Sequence, residues 1–147
     1  LAVGVGTTML LHCDHVLLSE RAKLSTPFVN LALVPEAASS LLAPRIMGHV
    51  RAFELLVMGR PFGPEQAVAA GLANAVVPSE EIEAAGFAAA AEIASKPREA
   101  VRLSRQLIKG SPDELLQRID EEALMFANRL RSAEAQKAFM AFLNKTG

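Results

Sequence analysis

The chain is poor in the features that would mark a specialised partner or a metal. It carries 15 Lys and Arg against 16 Asp and Glu, a formal net charge of −1 over 147 residues. A nucleic-acid binder would show a basic stripe, and none is present. The charges are mixed in sign and spread out, as on an ordinary solvated surface. There is a single cysteine, Cys13. That excludes an intramolecular disulfide and fits a reducing compartment, so a cytoplasmic location is expected. His12, His15 and His49 lack a matching set of ligands, and no metal is expected. No segment reaches the roughly 18 uninterrupted apolar residues of a membrane span. The opening stretch LAVGVGTTMLLHCD is apolar but has no positive flank and no cleavage site of the usual kind, so it makes a poor signal peptide. It has no initiator methionine and begins directly on an apolar run, from which we expect a piece of a longer protein.

What is present suffices for a core: 51% of the residues are hydrophobic. Gly4 and Gly6 permit close backbone approach, and Thr7 or Thr8 is placed to start a helix. HVLLSE and KLSTP read as short strands separated by a polar step, the second ended by Pro27. SSLLAPRIMG reads as a short helix limited by Pro44 and stopped by Gly48. The next helix, HVRAFELLVMG, puts Val50, Phe53, Leu56 and Val57 on one face and closes at Gly59. GPEQAVAAGL starts a helix at Pro64, with Glu65 in its first turn and Gly71 at its end. NAVVP is a short buried strand.

Residues 79 to 145 then read as almost wholly helical. Ser79 with Glu80 and Glu81 opens an Ala-rich helix. Pro97 opens another, with Ala100, Leu103, Leu107 and Ile108 as its apolar stripe. Pro112 opens a third, with Leu115, Leu116, Ile119, Ala123 and Phe126 on one side. SAEAQKAFMAFLNK is a capped final helix. These stripes read as core packing. The change of character divides the chain into a mixed part, residues 1–78, and a helical part, residues 79–147.

Two constellations draw attention. His12, Cys13 and Asp14 are adjacent, but neighbours on a helix point apart, which favours structural roles over a thiol nucleophile. The other is TPFVNLALVPEAASS, Thr26 to Ser40, nearly all small or apolar, with one carboxylate, Glu36, just after a proline. Carboxylates are rarely buried without a reason. Composition alone makes Glu36 a first-turn acid of the following helix.

The order of a glycine-rich turn, CD, two short strands, TP, PE and then GRPFGPEQAVAAGLANAVVP resembles the enoyl-CoA hydratase/isomerase (crotonase) superfamily. The glycine with A-x-x-A-G-L-x-x-x-V-V, here Gly59 and Ala67 to Val77, is the strongest mark. The resemblance runs over essentially the whole chain but corresponds to the C-terminal part of a typical member. It implies an α/β fold: the C-terminal part of a crotonase-like ββα spiral, followed by a helical region used in oligomerisation.

The resemblance also implies chemistry. Members hold a thioester carbonyl between two backbone N–H groups that stabilise an enolate. One donor would come from a part not in this chain, and the other from Val5 or Gly6. Hydratases of the family carry two glutamates, at the places of Thr8 and Phe28, and both are absent here. The peroxisomal-type Δ3,Δ2-enoyl-CoA isomerases instead have TPF and an acid in an x-PE-x-x-SS pattern. That puts the catalytic base on Glu36, with Phe28, Val29, Leu31 and Leu33 as apolar walls of the acyl pocket that exclude water. Phe142 and Lys145 would contact coenzyme A, which enters as the substrate thioester; no separate cofactor is implied. The partners implied are an acyl-CoA and further copies of the chain, a trimer or dimer of trimers. Leu115, Phe126, Phe139, Met140 and Phe142 supply apolar surface consistent with that assembly. The activity expected is isomerisation of enoyl-CoA in fatty acid β-oxidation. The alternatives are a hydratase-like enzyme using acids from outside the chain and a catalytically inactive acyl-CoA binder.

Overall fold

The computed structural model describes residues 1–144. The chain enters on strand β1 (Ala2–Val3) and turns at Gly4. Gly4 has φ 56° and ψ −120°, a combination that a Cβ forbids. This turn starts helix α1 (Val5–Thr8) two residues earlier than the threonines suggest, and a 3₁₀ turn, Met9–His12, continues it. Strands β2 (Leu17–Ser19) and β3 (Leu24–Ser25) follow, as their alternating apolar runs predict. β1 pairs in parallel with β3, Ala2 opposite Leu24 and Val3 opposite Ser25. β2 pairs in parallel with β4 (Ala75–Val77), Leu17 opposite Ala75 through Ser19 opposite Val77. Parallel pairing requires long crossovers, and helices supply them.

Helix α2 (Ser39–Leu56) is broken at Gly48, where φ 76° and ψ 160° leave the helical region. Gly48 therefore stops the first segment as expected, while Pro44 sits inside that segment without ending it. The second segment buries a different face from the one expected. Ala52, Leu55 and Leu56 are buried, whereas Val50, Phe53 and Val57 are exposed. The break at Gly48 frees the phase of this segment, and the small Ala52 allows it to dock closely. Helix α3 (Pro64–Ala69) starts at its proline, and Gly71 ends it with φ 76°.

Four helices complete the described residues: α4 (Ile82–Ala94), α5 (Arg98–Lys109), α6 (Asp113–Leu130) and α7 (Ala133–Leu143). Ser132 caps α7 by accepting the Ala135 N–H at 3.1 Å. The core gathers Leu18, Leu24, Phe28, Leu55 and Phe62 with Ala67 and Ala135, and Phe126 and Phe139 pack against it. Among the described residues no helix is long and apolar enough to cross a membrane.

The reading of every helical stripe as core needs correction. Neither α4 nor α5 buries a residue within this chain, and Leu107 and Ile108 are each 84% exposed. Helix α5 is fastened by its polar edge instead. Asp14 binds Arg105 at 2.6 Å and Lys109 at 3.1 Å, and Lys109 donates to the His12 carbonyl at 3.0 Å. Periodicity locates an apolar face; it does not say whether the same chain covers it.

The Arg105 hydrogen bond, aided by Lys109 and opposed by partial desolvation, holds the Asp14 carboxyl below its ordinary range. A folded value below the unfolded one stabilises above the unfolded value of about 3.9 and is lost as pH falls through the folded value. The groups are half exposed, so the pair contributes at most about 1 kcal/mol. Amide protection in α5 should fall selectively below about pH 4, where carboxylates protonate, and in high salt, before the core responds. Asp14→Asn should reproduce that loss at neutral pH. Unchanged α5 protection in the variant would show that these ion pairs do not fasten the helix.

Candidate active site

The segment leading to Glu36 is shaped by local hydrogen bonds. Thr26 is buried and donates its hydroxyl to the Leu55 carbonyl at 2.6 Å. The chain then curls through a 3₁₀ turn, Val29–Leu31, with the N–H groups of Leu31 and Leu33 both on the Phe28 carbonyl, at 3.0 and 2.8 Å. Ala32 takes a left-handed conformation, φ 57° and ψ 28°, and its carbonyl accepts from Arg129 Nε at 2.9 Å.

Immediately after Glu36 come two further left-handed alanines, Ala37 at φ 57° and Ala38 at φ 53°. The Ser39 N–H returns to the Glu36 carbonyl at 3.1 Å, closing a turn whose central residues both have positive φ. For an L-residue with a Cβ this conformation costs roughly 1–2 kcal/mol per residue. The surroundings hold it. His12 Nε2 donates to the Ala37 carbonyl at 2.7 Å, in the tautomer that carries its proton there. Glu122, on α6 and only 5% exposed, accepts the Ala38 N–H at 2.6 Å and the Ser40 N–H at 3.0 Å. Arg118, one turn before it, donates to Ser40 Oγ at 3.1 Å.

Glu36 faces a cavity of about 640 Å³. Val5, Phe28, Glu36 and Ala37 line one side, and Ile119, Ala123, Phe126, Ala127 and Leu130 of α6 line the other. Among the described residues Glu36 is the one ionisable group in this lining, and it is half-buried. The Thr8 hydroxyl donates to Glu36 Oε1 at 2.6 Å. Thr8 itself is 1% exposed, so this hydrogen bond is sheltered from water. In α1 the N–H groups of Thr7 and Thr8 go to the Gly4 carbonyl, at 2.9 and 3.0 Å. Those of Val5 and Gly6 precede any intrahelical acceptor, as helix starts dictate. A carboxylate in an apolar cavity, beside a helix start, can exchange protons with a carbon acid whose developing negative charge meets backbone donors.

Among the described residues, the structure brings Val5, Phe28 and Glu36 together on this cavity and leaves Gly6, Val29, Leu31, Leu33 and Phe142 outside its lining. Gly6 sits one residue further along α1, against a different hollow. Val29, Leu31 and Leu33 do not line this cavity, because the chain curls through the 3₁₀ turn at Val29–Leu31. Val29 turns outward, Leu31 packs against the core and Leu33 enters it. Phe142 lies in the last turn of α7 and is exposed, and Lys145 lies outside the described residues.

A groove of about 670 Å³ runs along α5 past Cys13 and Asp14, but no nucleophile and base meet in it. The nearest partner of Cys13 Sγ is the Met9 carbonyl at 3.6 Å, while Asp14 is taken up by Arg105 and Lys109. Among the described residues no group of His, Cys, Asp and Glu is arranged to hold a metal ion.

Three features escape sequence reasoning: the wall supplied by α6, the Thr8 contact and the Glu122 contacts. For Glu122 a signal existed. It stands three residues after Ile119 and four before Phe126, on the face where a helix places its buried side chains. A carboxylate there needs buried donors, and the backbone beyond Glu36 provides them.

Comparison with known proteins agrees with the geometry. The profile of the enoyl-CoA hydratase/isomerase family matches residues 1–147. Enoyl-CoA delta isomerase 2 of Rattus norvegicus is 34% identical over 145 residues, 98% of this chain and 37% of that protein. Enoyl-CoA delta isomerase 3, peroxisomal, of Mus musculus is 32% identical over 143 residues, 97% of this chain and 45% of the relative. The chain thus spans less than half the length of these curated relatives. The crystal structure of an enoyl-CoA hydratase/isomerase from Pseudoalteromonas atlantica superimposes with a TM-score of 0.95 at 39% identity, covering 98% of this chain and 58% of that one. With the fold, the A-x-x-A-G-L segment and a match that runs from end to end, the chain belongs to the enoyl-CoA hydratase/isomerase family.

Proposed function

We propose that the protein carrying this chain is a Δ3,Δ2-enoyl-CoA isomerase of fatty acid β-oxidation, with Glu36 as its single proton shuttle. The observation that carries this reading is that, among the described residues, Glu36 is the one ionisable group lining an apolar cavity, with a buried hydroxyl on its carboxylate. The two relatives named as delta isomerases support it.

In the proposed reaction the substrate is a 3-enoyl thioester of coenzyme A. Its carbonyl oxygen accepts from the N–H of Val5 or Gly6 and from a second donor outside this chain. Glu36 removes a proton from C2. The electron pair shifts through C3 onto C4 and the thioester oxygen, giving a dienolate. Glu36 then delivers the same proton to C4, leaving the double bond between C2 and C3. Nothing is added or lost, so water has no part in the step, and apolar walls protect it. Phe28 and the α6 residues form those walls. Phe142 and Lys145 are the proposed contacts to coenzyme A. On this reading residues 1–78 carry the base and the carbonyl donor, while residues 79–147 close the opposite side. The exposed stripes of α4 and α5 suit an assembly of several copies, a trimer or dimer of trimers.

A hydratase-like activity is the second reading, since the family description names both reactions. Hydration calls for two carboxylates with a water between them. The two positions that would carry them hold Thr8 and Phe28, so any second acid would come from outside this chain.

Glu36→Gln keeps the shape and removes the proton acceptor. Turnover of a 3-enoyl-CoA should fall by roughly 10²–10⁴, the contribution of a positioned acid–base group. Acyl-CoA binding should persist, because backbone groups hold the carbonyl. A folded variant with near-normal turnover would exclude Glu36 as the base. Thr8→Val is close to isosteric and removes the donor on Glu36. Hydrogen bonds to charged groups are worth about 1.5–3 kcal/mol, so kcat should drop at least about tenfold with little change in KM. Thr8→Ser, which restores the hydroxyl, should recover most of the loss. Equal kcat in the valine and wild-type enzymes would show that the contact has no part in turnover.

A further inference from the structure

We propose that Glu122 is a positioning residue for the base: it holds the left-handed turn that aims Glu36 into the cavity. The inference rests on the reading of Glu36 as the proton shuttle. The peptide unit between Ala37 and Ala38 is held at both ends by side chains from distant parts of the chain. Its carbonyl accepts from His12 Nε2 at 2.7 Å, and its N–H donates to Glu122 Oε2 at 2.6 Å. Glu122 Oε1 takes the Ser40 N–H at 3.0 Å, so both carboxylate oxygens are engaged. Both alanines have positive φ; rotation of this peptide plane relaxes Ala38, and Ala37 follows only if the plane before it turns as well. Unwinding of the two together would break the return of the Ser39 N–H to the Glu36 carbonyl and carry the Glu36 side chain away from Thr8. Glu122 itself does not line the cavity, so it acts through the turn and not on substrate.

Glutamine at this position offers one acceptor oxygen where glutamate offers two, and it turns an amide donor toward an N–H group. In the intact protein, Glu122→Gln should lower kcat by about 10- to 100-fold, the scale of a misplaced catalytic group, with KM nearly unchanged. Amide hydrogens of Ala38 and Ser40 should exchange faster. Adding Ala38→Gly should restore most of kcat, because glycine adopts positive φ without the penalty a Cβ brings. A carboxylate that merely fastens α6 to the fold would not be replaced by deleting a methyl group at residue 38. A loss that Ala38→Gly does not relieve, or an undiminished kcat, overturns the proposal. His12→Leu removes the donor at the other end of the same peptide and should show the same loss and the same relief by Ala38→Gly. A loss without relief there also overturns it, even if Glu122→Gln fails to fold. Glu36→Gln, measured in parallel, separates the two ideas. Normal turnover in that variant removes the shuttle, and the exchange rates still judge the turn. Wild-type exchange at Ala38 and Ser40 in Glu122→Gln would show that Glu122 does not hold it.

Discussion

The hydrogen bonds from Ala38 and Ser40 to the buried carboxylate of Glu122 join the two halves of this molecule at its candidate site. The turn after Glu36 uses two consecutive alanines in a conformation that glycine or asparagine would occupy more readily. Its intrinsic preference runs against the observed geometry, so tertiary contacts must over-determine it. Glu122 also avoids the penalty of a buried charge only because those N–H groups are there. The turn and the carboxylate therefore depend on each other, and α6 cannot be set aside as a distant helical appendage.

The same helix explains why the cavity is apolar. On α6 the polar contacts fall at Glu114 with Arg45, Arg118 with Ser40, Glu122 with the turn and Arg129 with Ala32. The first three are four residues apart and share one face. Beside them Ile119, Ala123 and Phe126 present carbon to the cavity. One helix thus satisfies the backbone of the loop that carries Glu36 while excluding polar groups from the space in front of it. Among the described residues no other ionisable group lines that space, and the Thr8 hydroxyl rests on the Glu36 carboxylate.

Much of this was legible in the sequence, and the rest was not for physical reasons. Local chemistry announces the boundaries of the elements. Pro64 starts a helix, Gly48, Gly71 and Gly110 end helical segments, and Ser132 caps one. Glu36 stood out because a lone carboxylate in an apolar run is expensive to bury. Val29, Leu31 and Leu33 lie off this cavity because hydrogen bonds to the Phe28 carbonyl curl the chain there, which a run of apolar residues does not announce. The stripe of α5 was misread as core because amphipathicity does not name the partner that covers a face. Glu122 was missed for the converse reason. Its donors are backbone N–H groups 84 and 82 residues away, and no side-chain pattern advertises them.

The central claim is that one carboxylate carries one proton from C2 to C4 inside an apolar cavity. A 3-enoyl-CoA deuterated at C2, turned over in ordinary water, tests it most directly. The account predicts that the 2-enoyl product keeps a measurable share of the label at C4, that this transfer disappears in Glu36→Gln, and that no 3-hydroxyacyl-CoA accumulates ahead of the isomer. A product with no label at C4, formed at the same rate by the Glu36→Gln protein, would contradict it.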